Sequence, residues 1–408
     1  VTRARAWLGG SLLGLVLVAI GFTAVHKQVR DGNDFPLYWQ GARDLLAGGS
    51  PYDVASGLHG YVYLPWFAWA LAPLALLPLP AAAACGYAAN VAFLLLAVLE
   101  SVAALRAAGL VPHTRTLLLA SLPLAALAHD NLVLGQANLL LLWLIAAATR
   151  GALEPRGSSF TRGAALGVAA ALKMSAGVLV LPWLRRWRTR LLVAFVAGAA
   201  AALLLPLAIS GPDRGLAQLA DWRAKVVAPA AAGTLQGSKV IDQSLHAGLR
   251  RLLVDEPAFG ETRVNVASLE PHAFAQVSFA VAAGLLVAYL LVLRLGPAQA
   301  TGRAQLLDLA LGCCAMVQVT GFNLKAQFIV LLLPAWTAAT LAFARGARTA
   351  LGARALLLAA GALFLLSQPG LVGRAASNWL LAYSAMAVGT LLLAVALVRL
   401  RFGTRRDD

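Results

Sequence analysis

Charge is scarce in this sequence: 12% of its 408 residues are Asp, Glu, Lys or Arg, against roughly 25% in a soluble globular domain. That is too little to clothe a water-facing surface of this size, so most of the surface must face lipid. Acidic charge is the scarcer sign, with 17 Asp and Glu against 33 Lys and Arg and a net charge of +16. Cysteine is almost missing. Cys85, Cys313 and Cys314 all lie in apolar stretches, outside any CxxC or histidine-rich setting, which indicates neither a metal site nor a disulfide framework. No soluble segment shows a stripe of basic and aromatic residues, so the positive charge does not point to nucleic acid. There is no internal repeat of fixed period. Gly9-Gly10 and Gly48-Gly49 lack the strand–loop–helix context of a glycine-rich phosphate loop.

What is abundant is hydrophobic length, 60% of the chain. An apolar run from Trp7 to Val25 follows Arg3 and Arg5; it is too long for the core of a signal peptide and is read as a retained first span. Further runs lie at about 81–105, 117–128, 137–149, 163–173, 176–184, 191–209, 272–295, 304–320, 326–343, 355–366 and 379–398. Each span needs about 20 apolar residues, fewer beside an internal cavity. Drawn with 163–184 as two half-length pieces, the chain makes about twelve crossings. The expected fold is one all-α polytopic membrane domain over 1–408.

Arginine orients it. Segments on one side hold Arg185, Arg186, Arg188, Arg190, Arg399, Arg401, Arg405 and Arg406, with only Glu154, Asp407 and Asp408 as acids. This is the cytoplasmic side by the positive-inside rule, with both termini on it. Residues 63–79 are apolar but carry Pro65, Pro73 and Pro78. Counting them as a crossing would invert the downstream arginines, so they are drawn as a juxtamembrane helix in the outer leaflet. Two large loops then face outward, 26–80 with that helix and 210–271, and loops of such length are usually functional.

Four polar constellations lie on this outer side. The first loop packs Asp31, Asp34, Tyr38, Tyr52, Asp53, Tyr61 and Tyr63 just beyond the first span. A carboxylate beside aromatic rings can act as a general base towards a sugar hydroxyl, or the same residues can be helix caps and an interfacial belt. The short loop 129–138 carries His129, Asp130, Asn131, Gln136 and Asn138 between two short apolar runs. It is either a functional polar turn or a capped one. Lys173 interrupts an apolar run; an anion such as a lipid phosphate is its natural partner, and snorkelling to the interface is the alternative. Asn323, Lys325 and Gln327 form the last outer turn. Glu100 and Asp308, in or near apolar runs, are assigned no chemistry.

In order along the chain stand Asp34 after the first span, Gly49-x-Pro51-Tyr52, Tyr63-x-Pro65, Gly135-Gln136-Ala137-Asn138, Leu172-Lys173 and then the basic residues 185–190. This order resembles glycosyltransferase family 87, enzymes of the GT-C superfamily that use polyprenol-phosphate sugars, among them mannosyltransferases and arabinofuranosyltransferases. The likeness covers most of the chain, through short motifs. Departures are Trp66 after Pro65, Met174-Ser175 after the lysine, Asn323-Leu324-Lys325-Ala326-Gln327 before the late leucine-rich span, and Asp242-Gln243-Ser244 for an Asn-Gln-Ser pattern.

The resemblance implies a GT-C fold of about 10–13 transmembrane helices, with broken helices around an outward-facing cavity. It implies an inverting transferase that moves mannose or arabinofuranose from a polyprenyl-phosphate donor to a hydroxyl of an envelope glycan or glycolipid, giving an α linkage. Asp34 would be the base, with Asp31 as rival. Lys173, then Lys239 and Lys325, would hold the donor phosphate. Tyr38, Tyr52, Tyr63, His129, Asp130, Gln136, Asn138, Gln243 and His246 would bind sugar or acceptor, with Asp130, Gln136 and Asn138 binding sugar hydroxyls or orienting the base. No cofactor and no metal are expected. The protein would lie in a bacterial cytoplasmic membrane with its site facing outward. A transporter or flippase of lipid-linked sugars is the competing reading, but it should show two related halves and midplane polar groups on several spans.

Overall fold

A computed structural model describes residues 2–30, 33–53, 60–154, 159–231, 239–296, 301–344 and 351–403. Among them the regular structure is helical. No strand forms, and the only backbone bridges are isolated pairs, Asp242 with Leu324 and Phe259 with Thr262. The helices are α1 (Thr2–Gln28), α2 (Asp34–Leu46), α3 (Pro65–Ala75), α4 (Leu79–Ala107), α5 (Thr114–Leu134) and α6 (Asn138–Leu153). Then come α7 (Ser159–Leu172), a 3-10 helix (Met174–Val180) running into α8 (Leu181–Arg185), α9 (Thr189–Ser210), α10 (Pro212–Trp222), α11 (Ala228–Ala231) and α12 (Leu245–Leu253). The chain continues through α13 (Pro271–Leu295), α14 (Gly302–Val319), a second 3-10 helix (Lys325–Leu331) entering α15 (Leu332–Ala342), α16 (Leu351–Leu366), α17 (Pro369–Ala382) and α18 (Ala385–Gly403).

The expected all-α polytopic membrane fold is what forms. Among the described residues, six helices are long and apolar enough to cross a bilayer alone: α4, α5, α9, α13, the stretch Lys325–Ala342 and α18. The pair α16 and α17, bent by 94° at its break, raises the number to seven if it is one span. The shorter apolar stretches Gly14–Gln28, Asn138–Leu153, Phe160–Leu172 and Met174–Arg185 take up four further runs, and the run at 304–320 forms α14, which is not among the six. The expected 10–13 crossings are therefore reached only if these short stretches also cross.

Two local expectations can be compared with the helices. The proline-rich stretch 63–79 gives α3, only 11 residues long. At 1.5 Å per residue that is about 16 Å, half the roughly 30 Å of a hydrocarbon core. The two half-length pieces drawn over 163–184 exist as well. The chain leaves α7 at Lys173, whose φ of −144° and ψ of 107° are extended, and resumes in the 3-10 helix at Met174.

The chain divides into two compact units. The first comprises Val1–Leu95, Ala128–Leu140 and Leu203–Ala228; the second comprises Leu96–Leu127, Leu141–Ala202 and Pro229–Asp408. The boundaries fall inside α4, α5, α6, α9 and α11. In the second unit small residues let helices close up. A Cβ on Gly167 of α7 would lie 2.1 Å from the Phe195 carbonyl oxygen of α9, and one on Gly198 of α9 would lie 2.1 Å from that of Ala164. Close backbone approach of this kind is how membrane helices gain packing energy where lipid removes the hydrophobic contrast. Lys325–Ala342 is almost wholly enclosed, and Phe328, Leu331 and Ala338 are fully buried.

Candidate active site

In the first unit the site begins where α1 ends. Asn33 donates to the carbonyls of Lys27 at 2.7 Å and Arg30 at 3.1 Å, closing the turn, and Asp34 opens α2. Phe35 locks this start in place. It packs on Ala82 and Ala83 of α4, with Val25, Val29 and Trp39 around it. The space for its ring exists because residue 86 is glycine: a Cβ there would lie 2.4 Å from the ring. Gly135 makes room from the other side, since its Cβ would meet that of Phe35 at 2.7 Å.

Gly135 also has a φ of +69°, and its amide and that of Gln136 both donate to the Asn131 carbonyl, at 3.0 and 3.1 Å. A glycine in the left-handed region is the common way to end a helix such as α5. The turn sends Gln136 back towards α2, where its Nε2 donates to Asp34 Oδ2 at 2.5 Å. Asn138 donates to Gln136 Oε1 at 2.8 Å and to Asn131 Oδ1 at 3.0 Å. Gln136, Asn138 and Asn131 are all buried. A carboxylate at a helix N-terminus, where unpaired N–H groups favour negative charge, is thus held by a chain of three buried amides.

One turn along α2 stands an aromatic cluster. The Tyr38 and Tyr63 hydroxyls lie 3.1 Å apart, and Tyr52 donates to the Tyr63 carbonyl at 2.8 Å. Tyr38, Tyr61, Tyr63 and Phe67 meet mostly edge to face. Burial raises all four phenol pKa values, that of Tyr63 to about 12, with the Asp34 charge adding to the rise at Tyr38 and Tyr63. These hydroxyls therefore remain donors, and none can serve as a base near neutral pH. The second large loop docks on the first: Trp69 Nε1 donates to Gln218 at 3.1 Å, Trp222 Nε1 to the Val62 carbonyl at 3.3 Å, and Lys225 pairs with Asp53.

In the second unit the three lysines singled out from the sequence meet one polar bridge. Asp242 and Leu324 pair through their backbones. Asp242 Oδ1 accepts from the backbone N–H of Ser244 at 2.8 Å and of Asn323 at 3.0 Å, and the Asn323 carbonyl accepts from Gln243 at 2.7 Å. Lys173, from the break after α7, donates to Asn323 Oδ1 at 3.5 Å. The Lys239 carbonyl accepts from the Asp242 amide at 3.0 Å, and Lys325 follows Leu324 directly. Arg251 ties the loop down. It is fully buried and donates to the carbonyls of Lys239, Asp242 and Ala382 and to Ser384 Oγ at 2.8–3.1 Å. Burial lowers its pKa to about 10, against the pull of Asp242, and burial raises that of Asp242.

The other expected residues stand apart from these contacts. His129 is exposed and Asp130 half-buried, and the two pair at 3.7 Å. Gln243 is buried, donating to the carbonyls of Val240 and Leu381 at 2.8 and 2.9 Å. His246 bonds Ser278 at 2.8 Å and packs on Phe274. Asp31 lies outside the described residues. Glu100 pairs with Arg150 at 3.3 Å, and Asp308 pairs with Arg186 and Arg401. Sequence reasoning missed Asn323 and Arg251 as network members, and Gln28, which donates to the Leu132 carbonyl at 2.7 Å. For the amide chain, the resemblance points to Gln136 and Asn138 as residues that bind sugar or orient the base, while Asn131 stands only as a candidate helix cap.

Neither a curated protein nor a solved structure matches the chain. The family model of glycosyltransferase family 87 does, over residues 61–269. The match takes in the tyrosine cluster from Tyr61, the loop with Gln136 and Asn138, Lys173 and the Asp242–Arg251 loop, and it starts beyond Asp34. With just over half of its length matched, and an all-α membrane fold, the chain belongs to glycosyltransferase family 87.

Proposed function

We propose that this glycosyltransferase uses a polyprenyl-phosphate sugar, mannose or arabinofuranose, and transfers it to a hydroxyl of an envelope glycan or glycolipid on the extracytoplasmic face of a bacterial cytoplasmic membrane. Asp34 is the base. It takes the acceptor hydroxyl proton as that oxygen bonds to the anomeric carbon, and the bond from that carbon to the phosphate oxygen breaks on the opposite face. A β-linked donor gives an α-linked product by this single displacement. The electron pair leaves on polyprenyl phosphate, which gains one negative charge and needs no proton. In the second unit Lys173, with Lys239 and Lys325, receives that charge, so no metal or cofactor enters the scheme.

The observation that carries the assignment is the 2.5 Å bond from Gln136 to Asp34, backed by the buried amides Asn138 and Asn131. A base must be held in one orientation to act, and a side chain that merely caps a helix needs no such backing. General-base assistance is worth about 100- to 10,000-fold. Tyr38, Tyr52 and Tyr63 shape the wall beside Asp34, and the exposed His129, with the half-buried Asp130 beside it, is open to acceptor contacts. Gln243 and His246 keep the second outer loop folded over Asp242.

Purified protein reconstituted with synthetic polyprenyl-phosphate mannose or arabinose, and a pool of envelope glycolipids, tests this directly. Transfer of one sugar, lost in Asp34→Asn with donor binding kept, is the expected result. If neither sugar is transferred but a lipid-linked sugar crosses liposomes, the transferase scheme falls and the flippase reading replaces it.

A further inference from the structure

We propose that the arginine cluster at the end of α8 is a binding site for the phosphate of an anionic phospholipid. The site lies wholly within the second unit, on the side that the charge asymmetry assigns to the cytoplasm, and it stands apart from the transfer chemistry.

Asp308 of α14 is fully buried and is shared by two guanidinium groups, Arg186 and Arg401, the latter through Nε at 3.0 Å. Arg185 stands beside them. Its Nη2 donates to the carbonyls of Arg294 at 3.2 Å and Gly296 at 2.6 Å at the end of α13. Arg401 reaches the same glycine, for a Cβ on Gly296 would lie 2.2 Å from its Nη2. Three cations thus crowd around one carboxylate, which pairs directly with two of them. Two donors there are buried with no partner among the described residues, Arg186 Nε and Arg185 Nη1. The Arg186 side chain is only 8% exposed. Arg188 and Arg190 add exposed positive charge at the rim.

An uncompensated buried charge is among the costliest features a protein can carry. A phosphate diester docked against the cluster would supply the missing negative charge, and guanidinium is the side chain whose geometry suits phosphate best. What surrounds the cluster points to a lipid rather than a free ion. Leu184, Trp187 and Leu295 adjoin the arginines and are 47%, 81% and 62% exposed. Trp187 holds a φ of +49°, rare for a bulky residue, while its ring stays open. Exposed tryptophan and leucine around a basic pocket suit acyl chains below and a phosphate headgroup within.

The test is native mass spectrometry of the detergent-purified protein titrated with phosphatidylglycerol or phosphatidylcholine, with inorganic phosphate assayed in parallel by thermal unfolding. Wild type should retain phosphatidylglycerol and not phosphatidylcholine. Arg185→Gln, which spares the Asp308 pairs, should weaken retention about tenfold, and Arg185→Lys should restore part of it. Equal retention of both lipids by wild type overturns the proposal without recourse to any variant. So does unchanged phosphatidylglycerol retention in Arg185→Gln. Stabilisation by inorganic phosphate with no lipid retained would assign the site to a soluble anion and overturn the lipid.

Discussion

Replacing Gln136 by methionine keeps the shape of the side chain and deletes both polar atoms, so it asks what the amide does for Asp34. Two bonds are lost: the 2.5 Å donation to Asp34 Oδ2 and the 2.8 Å acceptance from Asn138. The second loss is cushioned, because Asn138 Nδ2 also donates to Asn131 Oδ1 at 3.0 Å and is not orphaned. The stability cost should therefore be about 1 kcal/mol, that of an ordinary hydrogen bond. The first loss is different in kind, since a hydrogen bond to a charged group is worth about 1.5–3 kcal/mol. If that bond holds the base in its reactive orientation, its loss appears in the transition state as roughly a 10- to 150-fold fall in kcat, with KM nearly unchanged.

The assay is transfer from the synthetic lipid donor, followed by mass spectrometry of product, with thermal unfolding run alongside. The decisive comparison is the double-mutant cycle. In an Asp34→Asn background there is no base to orient, so adding Gln136→Met should cost little further rate. A wild-type rate for Gln136→Met would refute the orientation role. So would a loss of the same size in both backgrounds, since it would mean that Gln136 acts through the fold alone.

Lys173→Met should lower kcat about 100- to 1,000-fold, the usual size for a group that stabilises charge developing in the transition state, and Lys173→Arg should recover part of it in the same assay. Gly198→Ala puts a methyl 2.1 Å from the Ala164 carbonyl oxygen, so α7 and α9 must separate. A loss of about 1–3 kcal/mol, read as a lower unfolding midpoint in detergent, is expected. The His246 pKa is lowered by burial and then by Arg250, with Ser278 and Phe274 packed on the ring. The unfolded chain therefore binds a proton there more readily than the folded one. The resulting stability is complete above the ordinary histidine pKa of about 6.5 and drains away as pH falls below it. His246→Asn should flatten the fall in unfolding midpoint between pH 7.5 and pH 5.

The sequence was most informative where one residue broke a pattern. A lone lysine in an apolar run marked the break after α7, because a charge at that depth demands either a partner or a gap in the helix, and Lys173 has both. Prolines 65, 73 and 78 marked a helix that stops early, since each removes a backbone donor. Partner choice was another matter. Gln136 and Asp34 are 102 positions apart, and nothing in the spacing of either announces the other. Glycine 86 stood among alanines in α4 and looked like membrane composition; its role is visible only when the Phe35 ring lies against it.

Arg251 shows why polar networks are the hardest part to foresee. In a polar loop, next to Arg250, it had every mark of a solvated side chain, and Arg250 does take up an outer ion pair with Glu256 at 2.5 Å. One position further round α12 the same side chain type is fully buried, its donors spent on three carbonyls and a serine. Two of those carbonyls belong to the 239–242 turn and one to the end of α17, so a single guanidinium joins the loop holding Asp242 to the 382–384 turn. Backbone carbonyls occur at every residue, so no sequence pattern singles out the ones that will converge. Removing Arg251 would cut all of these bonds at once, leaving the Lys239 carbonyl only the Asp242 amide, which places the integrity of the Asp242 bridge, and of the turn that meets Lys173, on a residue with no chemistry of its own.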